Sequence, residues 1–344
     1  MAMVTKTKVK KTWNLLIKIV IVVAAYGFLY YQLFRQGKAD YIVQALDTYS
    51  HSSFVLFSLI GVILLMGVNW SIEAFKWRYL IKTEEQVTFL KSLKAVFAGL
   101  TVSIFTPNRT GEFLGRVFIL RKSNPWRAIF ITIVGSFSQL MVTLMVGYIA
   151  FVIFGWRYLA NDLYLTEYLF KAISIFLGIV ILLLVLLYLN VRVLDPMLNK
   201  LVRSRWKKIG QYFSVFSRFK TFQLLKVLGL SLLRYFVFTS QFIILLKAFN
   251  VPVNLTEAFM LISVMYFIMT AIPAITLAEL GIRGSVTIGV FEFFLSDAGL
   301  FTEAVKCGVF SASSGVWLIN LALPALIGTI FVMQLRFFNK RNSL

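Results

Sequence analysis

Two pairs of opposite charge stand where charge is costly. Glu112 and Arg116, and Glu279 and Arg283, are each four residues apart, and each pair follows a proline, Pro107 or Pro273, inside an otherwise apolar run. Side chains at that spacing share one helix face and can pair. An ionisable residue at membrane depth is tolerated where it faces a protein interior or a water-filled cavity, and broken helices at that depth frame substrate sites in transporters. Arg109, Glu112 and Arg116 lie with Gly111 and Gly115 just past Pro107, where the start of a half-helix would offer unpaired amides to an anion such as a phosphate-bearing headgroup. The plainer alternative makes the arginines interfacial anchors and the glycines points of close helix packing. For Glu279 and Arg283 the alternatives are a substrate site and a salt bridge that holds a hairpin shut. Arg234, well inside another apolar run, has Glu279, Glu112 or Glu73 as candidate partners.

The substrate-binding set expected from these residues is Arg109, Glu112, Arg116, Arg234, Glu279 and Arg283, with Pro107, Gly111, Pro273, Gly281 and Gly284 as structural hinges. Asn69 and Glu73 lie near the end of a span, where an interfacial role weighs as much as a substrate role. Gln139, Gln241 and Asn320 read as interhelical hydrogen-bonding residues.

Such residues need a membrane scaffold, and the composition supplies one. Of 344 residues 59% are hydrophobic and only 14% charged, and the mean hydropathy is +0.83. Those values exclude an ordinary soluble domain and a disordered chain, and runs near the roughly 20 residues that cross a bilayer recur. A single Cys307 and a single His51 leave no disulfide, no zinc set and no histidine-based triad. No cofactor or metal is expected. The formal charge of +21 lies beside apolar spans with no folded basic domain to read a groove, so it fits cytoplasmic loops and anionic lipid better than nucleic acid.

In chain order, full spans are expected at about 13–34, 54–74, 128–154, 169–190, 224–249 and 305–335. The first follows a basic N-terminal stretch and is too long for a signal-peptide core. Basic residues at Lys76, Arg78, Lys82, Lys91 and Lys94, at Arg121 to Arg127, through the Arg192 to Lys220 loop and at the C-terminus mark the inside. The interrupted runs at about 95–120 and 256–294 then read as re-entrant helical hairpins of opposite sense. The expected fold is an all-α polytopic bundle of about six full spans and two hairpins. It forms one transmembrane domain over 1–344 with inverted-repeat halves at about 1–160 and 161–344, and both termini in the cytoplasm of a cell-membrane protein.

At the two breaks the sequence resembles the membrane region of the lysylphosphatidylglycerol synthase and flippase-like family. The early stretch stands as Pro107-Asn-Arg-Thr-Gly-Glu-Phe-Leu-Gly-Arg116 and the late one as Pro273-Ala-Ile-Thr-Leu-Ala-Glu-Leu-Gly-Ile-Arg-Gly284. Relatives carry a glycine-rich segment after the late proline and a Glu directly after the Arg. This chain has neither, and Glu279 is the carboxylate left to serve there. The resemblance implies a lipid flippase-like protein. The chain reaches Leu344 soon after its last span, so the soluble aminoacyl-transferase activity of bifunctional relatives is not expected of it.

The expected function is therefore movement of a phospholipid or lipid-linked headgroup between leaflets. Arginines would bind phosphate, carboxylates would balance them, and a gradient or downhill exchange would drive the process, since no nucleotide-binding motif is present. The alternatives are a membrane-embedded enzyme on a lipid-linked substrate, with Glu112 or Glu279 as base, and a non-catalytic scaffold. Expected partners are a membrane phospholipid and anionic lipid at the basic loops, and a homo-oligomer is compatible with the sequence.

Overall fold

The apolar runs fold as helices because a backbone in hydrocarbon must satisfy its own hydrogen bonds. The structure is a computed structural model that describes residues 53–104, 106, 110–120, 123–158, 164–196, 212–272 and 276–333, with scattered positions between 13 and 30. In chain order the helices are α1 (Ser53–Ile81), α2 (Phe89–Ser103), α3 (Gly111–Val117), α4 (Pro125–Tyr158), α5 (Tyr164–Leu189), α6 (Thr221–Ala248), α7 (Leu255–Ala271), α8 (Thr276–Ser296), α9 (Glu303–Trp317) and α10 (Leu323–Val332). A π-helical turn, Leu318–Ala322, joins α9 to α10. Among the described residues there is no strand, and five helices are long and apolar enough to cross a membrane: α1, α4, α5, α6 and the α9–α10 unit. This is a multi-pass all-α membrane protein.

Five of the six expected full spans thus have a helix. The first, about 13–34, falls largely outside the described residues, but those that are described there are helical. Ile21 packs with Ala98, Val102 and Val332, and the Lys18 ammonium donates to the Met333 carbonyl (2.6 Å).

Side-chain and backbone caps set the helix ends. Asn254 accepts from the Glu257 amide while Glu257 accepts from the Asn254 amide, both at 2.9 Å, so α7 begins on a reciprocal cap. The ends of α6 and α8 share a left-handed residue, Asn250 (φ 51°) and Gly299 (φ 66°). Behind them Val251 and Leu300 amides reach back to the Leu246 and Leu295 carbonyls at 3.0 Å. That conformation suits only glycine well and asparagine tolerably.

The interrupted runs fold as helix, break, helix, but unequally. The first has arms of 15 and 7 residues, α2 and α3, that pack on each other. The second has arms of 17 and 21 residues, α7 and α8. At about 1.5 Å per residue α3 is roughly 10 Å long, far short of the hydrocarbon core, whereas α8, at roughly 31 Å, matches it. Elsewhere α1 runs along α6, α4 along α7, and α2 along α10. Two large apolar cores result, beside the small cluster around Ile21. One gathers Trp70, Trp77, Leu100, Ile131, Leu280 and Trp317, and the other Val62, Phe242, Leu261, Met265, Phe291 and Val309.

Glycine makes the first hairpin. A Cβ on Gly115 would lie 2.5 Å from the Gly99 Cα and 2.9 Å from the Ala98 carbonyl, so α2 and α3 touch backbone to backbone. Gly115→Ala should therefore lower stability by about 1–3 kcal/mol through overpacking. Gly289→Ala, at a helical position with open space around it, should instead hold or raise stability by up to about 1 kcal/mol. Thermal unfolding of both variants in detergent checks the contrast in sign.

Candidate functional site

The α1 helix is longer than the apolar pattern suggests, and the difference makes the site. It continues to Ile81, so Asn69, Glu73 and Lys76 lie inside the bundle and not at a membrane border. Their i, i+4 and i+7 spacing places all three on one face. Lys76, expected in a basic loop, is buried with a side chain 1% exposed, and its ammonium is 2.7 Å from Glu73. It also approaches the Ser231 hydroxyl of α6 at 3.3 Å, and Ser231 is 2.7 Å from Ser138 of α4.

Glu73 is the hub. One carboxylate oxygen accepts from Arg116 Nη1 of α3 (2.9 Å), and the other accepts from Arg234 Nη1 of α6 (3.0 Å) and pairs with Lys76. Of the three carboxylates open to Arg234 from sequence, the structure uses Glu73. Arg116 turns its other nitrogen to Glu112 one helical turn back. Three cations therefore face two carboxylates, which leaves one positive charge in excess. Glu73, Lys76 and Arg116 are sealed, whereas Glu112 and Arg234 are 19% and 16% exposed at the side chain, so the cluster reaches the surface through those two. The Arg234 guanidinium also lies over the Trp70 ring, 4.9 Å from its centre. Among the described residues the buried Arg116 Nε has no acceptor.

From Arg234 a neutral chain continues. Arg234 Nε donates to Asn69 (2.9 Å), Asn69 to Asn320 (2.9 Å), Asn320 to Gln241 (3.0 Å) and Gln241 to the Val62 carbonyl (2.8 Å). Asn320 belongs to the π-helical turn, a geometry that often marks functional sites. Gln241 and Asn320 thus bond between helices as expected. Gln139 differs, since its buried amide has no partner among the described residues.

The late pair is on α8. Glu279 is buried and 3.5 Å from Arg283, whose guanidinium lies over the Tyr266 ring of α7 at 5.9 Å. Gly281 and Gly284, expected as hinges, sit within continuous α8. A Cβ on Gly284 would meet the Phe310 ring at 2.6 Å, which makes it a packing position. Gly111 opens α3, donates its amide to Thr106 (2.8 Å), and would drive a Cβ to 2.4 Å from the Val102 carbonyl. Pro107, Arg109 and Pro273 lie outside the described residues.

The structure thus joins Glu112, Arg116 and Arg234 through residues to which sequence gave no central place. The signal in the sequence is the Asn69, Glu73, Lys76 spacing, which the basic stretch from Lys76 onward hides. Removing one partner of a buried ion pair strands the others, at a cost of about 3–5 kcal/mol. Glu73→Ala should lose about that much and lower the melting temperature sharply. Glu303→Ala, which removes a pair 84% exposed at the carboxylate, should leave the melting temperature unchanged, and differential scanning fluorimetry of both variants reads the difference.

No curated protein and no solved structure matches the chain. A family model does, described as the lysylphosphatidylglycerol synthase TM region, over residues 15–312. The match takes in Glu73, Glu112, Arg116, Arg234, Glu279 and Arg283 and stops short of Asn320. Covering most of the sequence, it shows that the chain belongs to the family of lysylphosphatidylglycerol synthase transmembrane regions.

Proposed function

We propose that the protein moves a phospholipid between leaflets, with the headgroup phosphate recognised at the Glu73 cluster while the acyl chains stay in lipid. The observation that carries this reading is the unmatched positive charge where Arg116 of the short α3 meets Glu73 and Lys76 of α1 and Arg234 of α6, two helices long and apolar enough to span. A phosphate entering past Arg234 and Glu112, the two partly exposed members, supplies the missing negative charge through charge-assisted hydrogen bonds. Family membership supports a lipid substrate, and Glu112 and Glu279, the bases an enzyme would use, are each paired with an arginine, which favours transport over chemistry. Glu279 and Arg283 form the opposing half-site on α8, while Arg109 belongs by sequence with Glu112 and Arg116 in the first. In this reading the two broken pairs are re-entrant elements of an inverted repeat within one domain. No cofactor takes part, and the driving force is a gradient or exchange.

Arg234→Gln should cut transbilayer movement of a labelled anionic phospholipid in proteoliposomes by about tenfold or more, the effect of one lost charge-assisted hydrogen bond. Arg157→Gln, at a helix end, should match the unsubstituted protein. A rate for Arg234→Gln equal to that of the unsubstituted protein sinks the assignment, and chemically altered lipid in the vesicles would point to an enzyme.

The bias of basic residues supports an orientation with the α1–α2 turn and both termini on the cytoplasmic side of the cell membrane. In a Cys307→Ser background, a cysteine at Gln86 should resist impermeant thiol reagents in intact cells while one at Glu303 is labelled. The reverse pattern would invert the topology.

A further inference from the structure

At the basic end of α1 a cavity of about 480 Å³ is lined by Phe75, Arg78, Tyr79, Lys82, Gln86 and Thr88 among others. It is separate from the Glu73 cluster, because Phe75, Arg78 and Lys82 are exposed while Glu73 and Lys76 face inward. Among the described residues its cations have no carboxylate partner. The adjacent carboxylates are turned elsewhere: Glu84 binds Arg218 (2.8 Å) and lies 3.9 Å from Arg127, and Glu85 binds Lys91 (2.7 Å) and the Ser123 amide (3.2 Å). Arg78 uses its Nε on the Val87 carbonyl (2.9 Å), which anchors the side chain at the cavity wall, and among the described residues neither Arg78 nor Lys82 has an acidic partner. Gln86 and Thr88 add neutral polar groups at the same opening.

The apolar part of the wall indicates an amphiphile. Phe75 is half exposed and stacks on Phe89 at 4.5 Å. Beside it Leu90 is 67% exposed, and further along α1 Leu64 and Val68 are exposed as well. A polar, doubly cationic cavity thus opens beside the apolar surface of a membrane-spanning helix, at the end where basic residues gather. An anionic lipid meets both demands, with phosphate on Arg78 and Lys82 and its chains against Phe75 and Leu90.

We infer that this cavity is a binding site for the phosphate of an anionic phospholipid in the leaflet at the basic end of α1. It is occupied whether or not the protein translocates lipid, so it stands independently of the function proposed above. Native mass spectrometry of the full chain in detergent, titrated with phosphatidylglycerol and with phosphatidylcholine, tests it. Phosphatidylglycerol should bind more tightly than phosphatidylcholine, and the preference should fall about fivefold for each cation removed in Lys82→Gln and Arg78→Gln/Lys82→Gln. Lys247→Gln/Lys306→Gln, toward the other end of the bundle, should keep the full preference. Because Arg78 also holds the Val87 carbonyl, Lys82→Glu gives a version of the test that leaves that contact intact, and it should lose the preference. Equal retention of both lipids, or an undiminished preference in Lys82→Glu, overturns the site. Displacement of phosphatidylglycerol by millimolar inorganic phosphate would reassign it to a soluble anion and overturn the lipid assignment.

Discussion

A carboxylate buried among three cations sets the terms for the rest of this bundle. Glu73 collects Arg116 from α3, Lys76 from its own helix and Arg234 from α6, and none of these groups can be left alone at membrane depth, where an unpaired charge costs about 2.5–3.5 kcal/mol even on a permissive insertion scale. Neutral hydrogen bonds between membrane helices average only about 0.6 kcal/mol. The ionic hub therefore outweighs any link of the chain from Asn69 to Gln241 in fixing how α1, α3 and α6 sit. The neutral chain extends that placement toward the second core, to the Val62 carbonyl.

The hub also explains why the first break is built as it is. For Arg116 to reach Glu73, α3 must sit deep against the bundle, and it does so as a seven-residue helix pressed onto α2 through Gly99 and Gly115. Larger side chains there would hold α3 off and leave Arg116 short of its partner. Close backbone contact and charge pairing thus depend on each other. Gly328 repeats the device between α2 and α10, where a Cβ would lie 2.3 Å from the Phe97 carbonyl, so α2 is clamped on two sides.

The proposed function draws on what that rigidity leaves unfinished. The cluster carries one more cation than anion, it reaches the surface through Arg234 and Glu112, and Asn320 meets it from a π-helical turn whose hydrogen-bond ladder differs from the helices on either side. A sealed, charge-balanced cluster would only brace the fold. The excess charge and partly open edge found here are what support the proposed anionic substrate.

Much of this was legible in the chain itself. Hydropathy and basic flanks determined the all-α membrane class and the five spans expected at about 54–74, 128–154, 169–190, 224–249 and 305–335, each of which has a helix, because only self-bonded backbones of sufficient length survive in hydrocarbon. The i, i+4 spacing determined that Glu112 could pair with Arg116 and Glu279 with Arg283. Sequence could not choose the partner of Arg234, since three carboxylates were compatible with it. Nor could it see that Lys76 belongs to the interior, because a lysine at the edge of an apolar run looks the same whether the helix stops or continues. Those choices were made by tertiary structure. Whether a charge is stranded or paired depends on residues 43 and 161 positions away, and their distance in space is fixed only when α1, α3 and α6 pack.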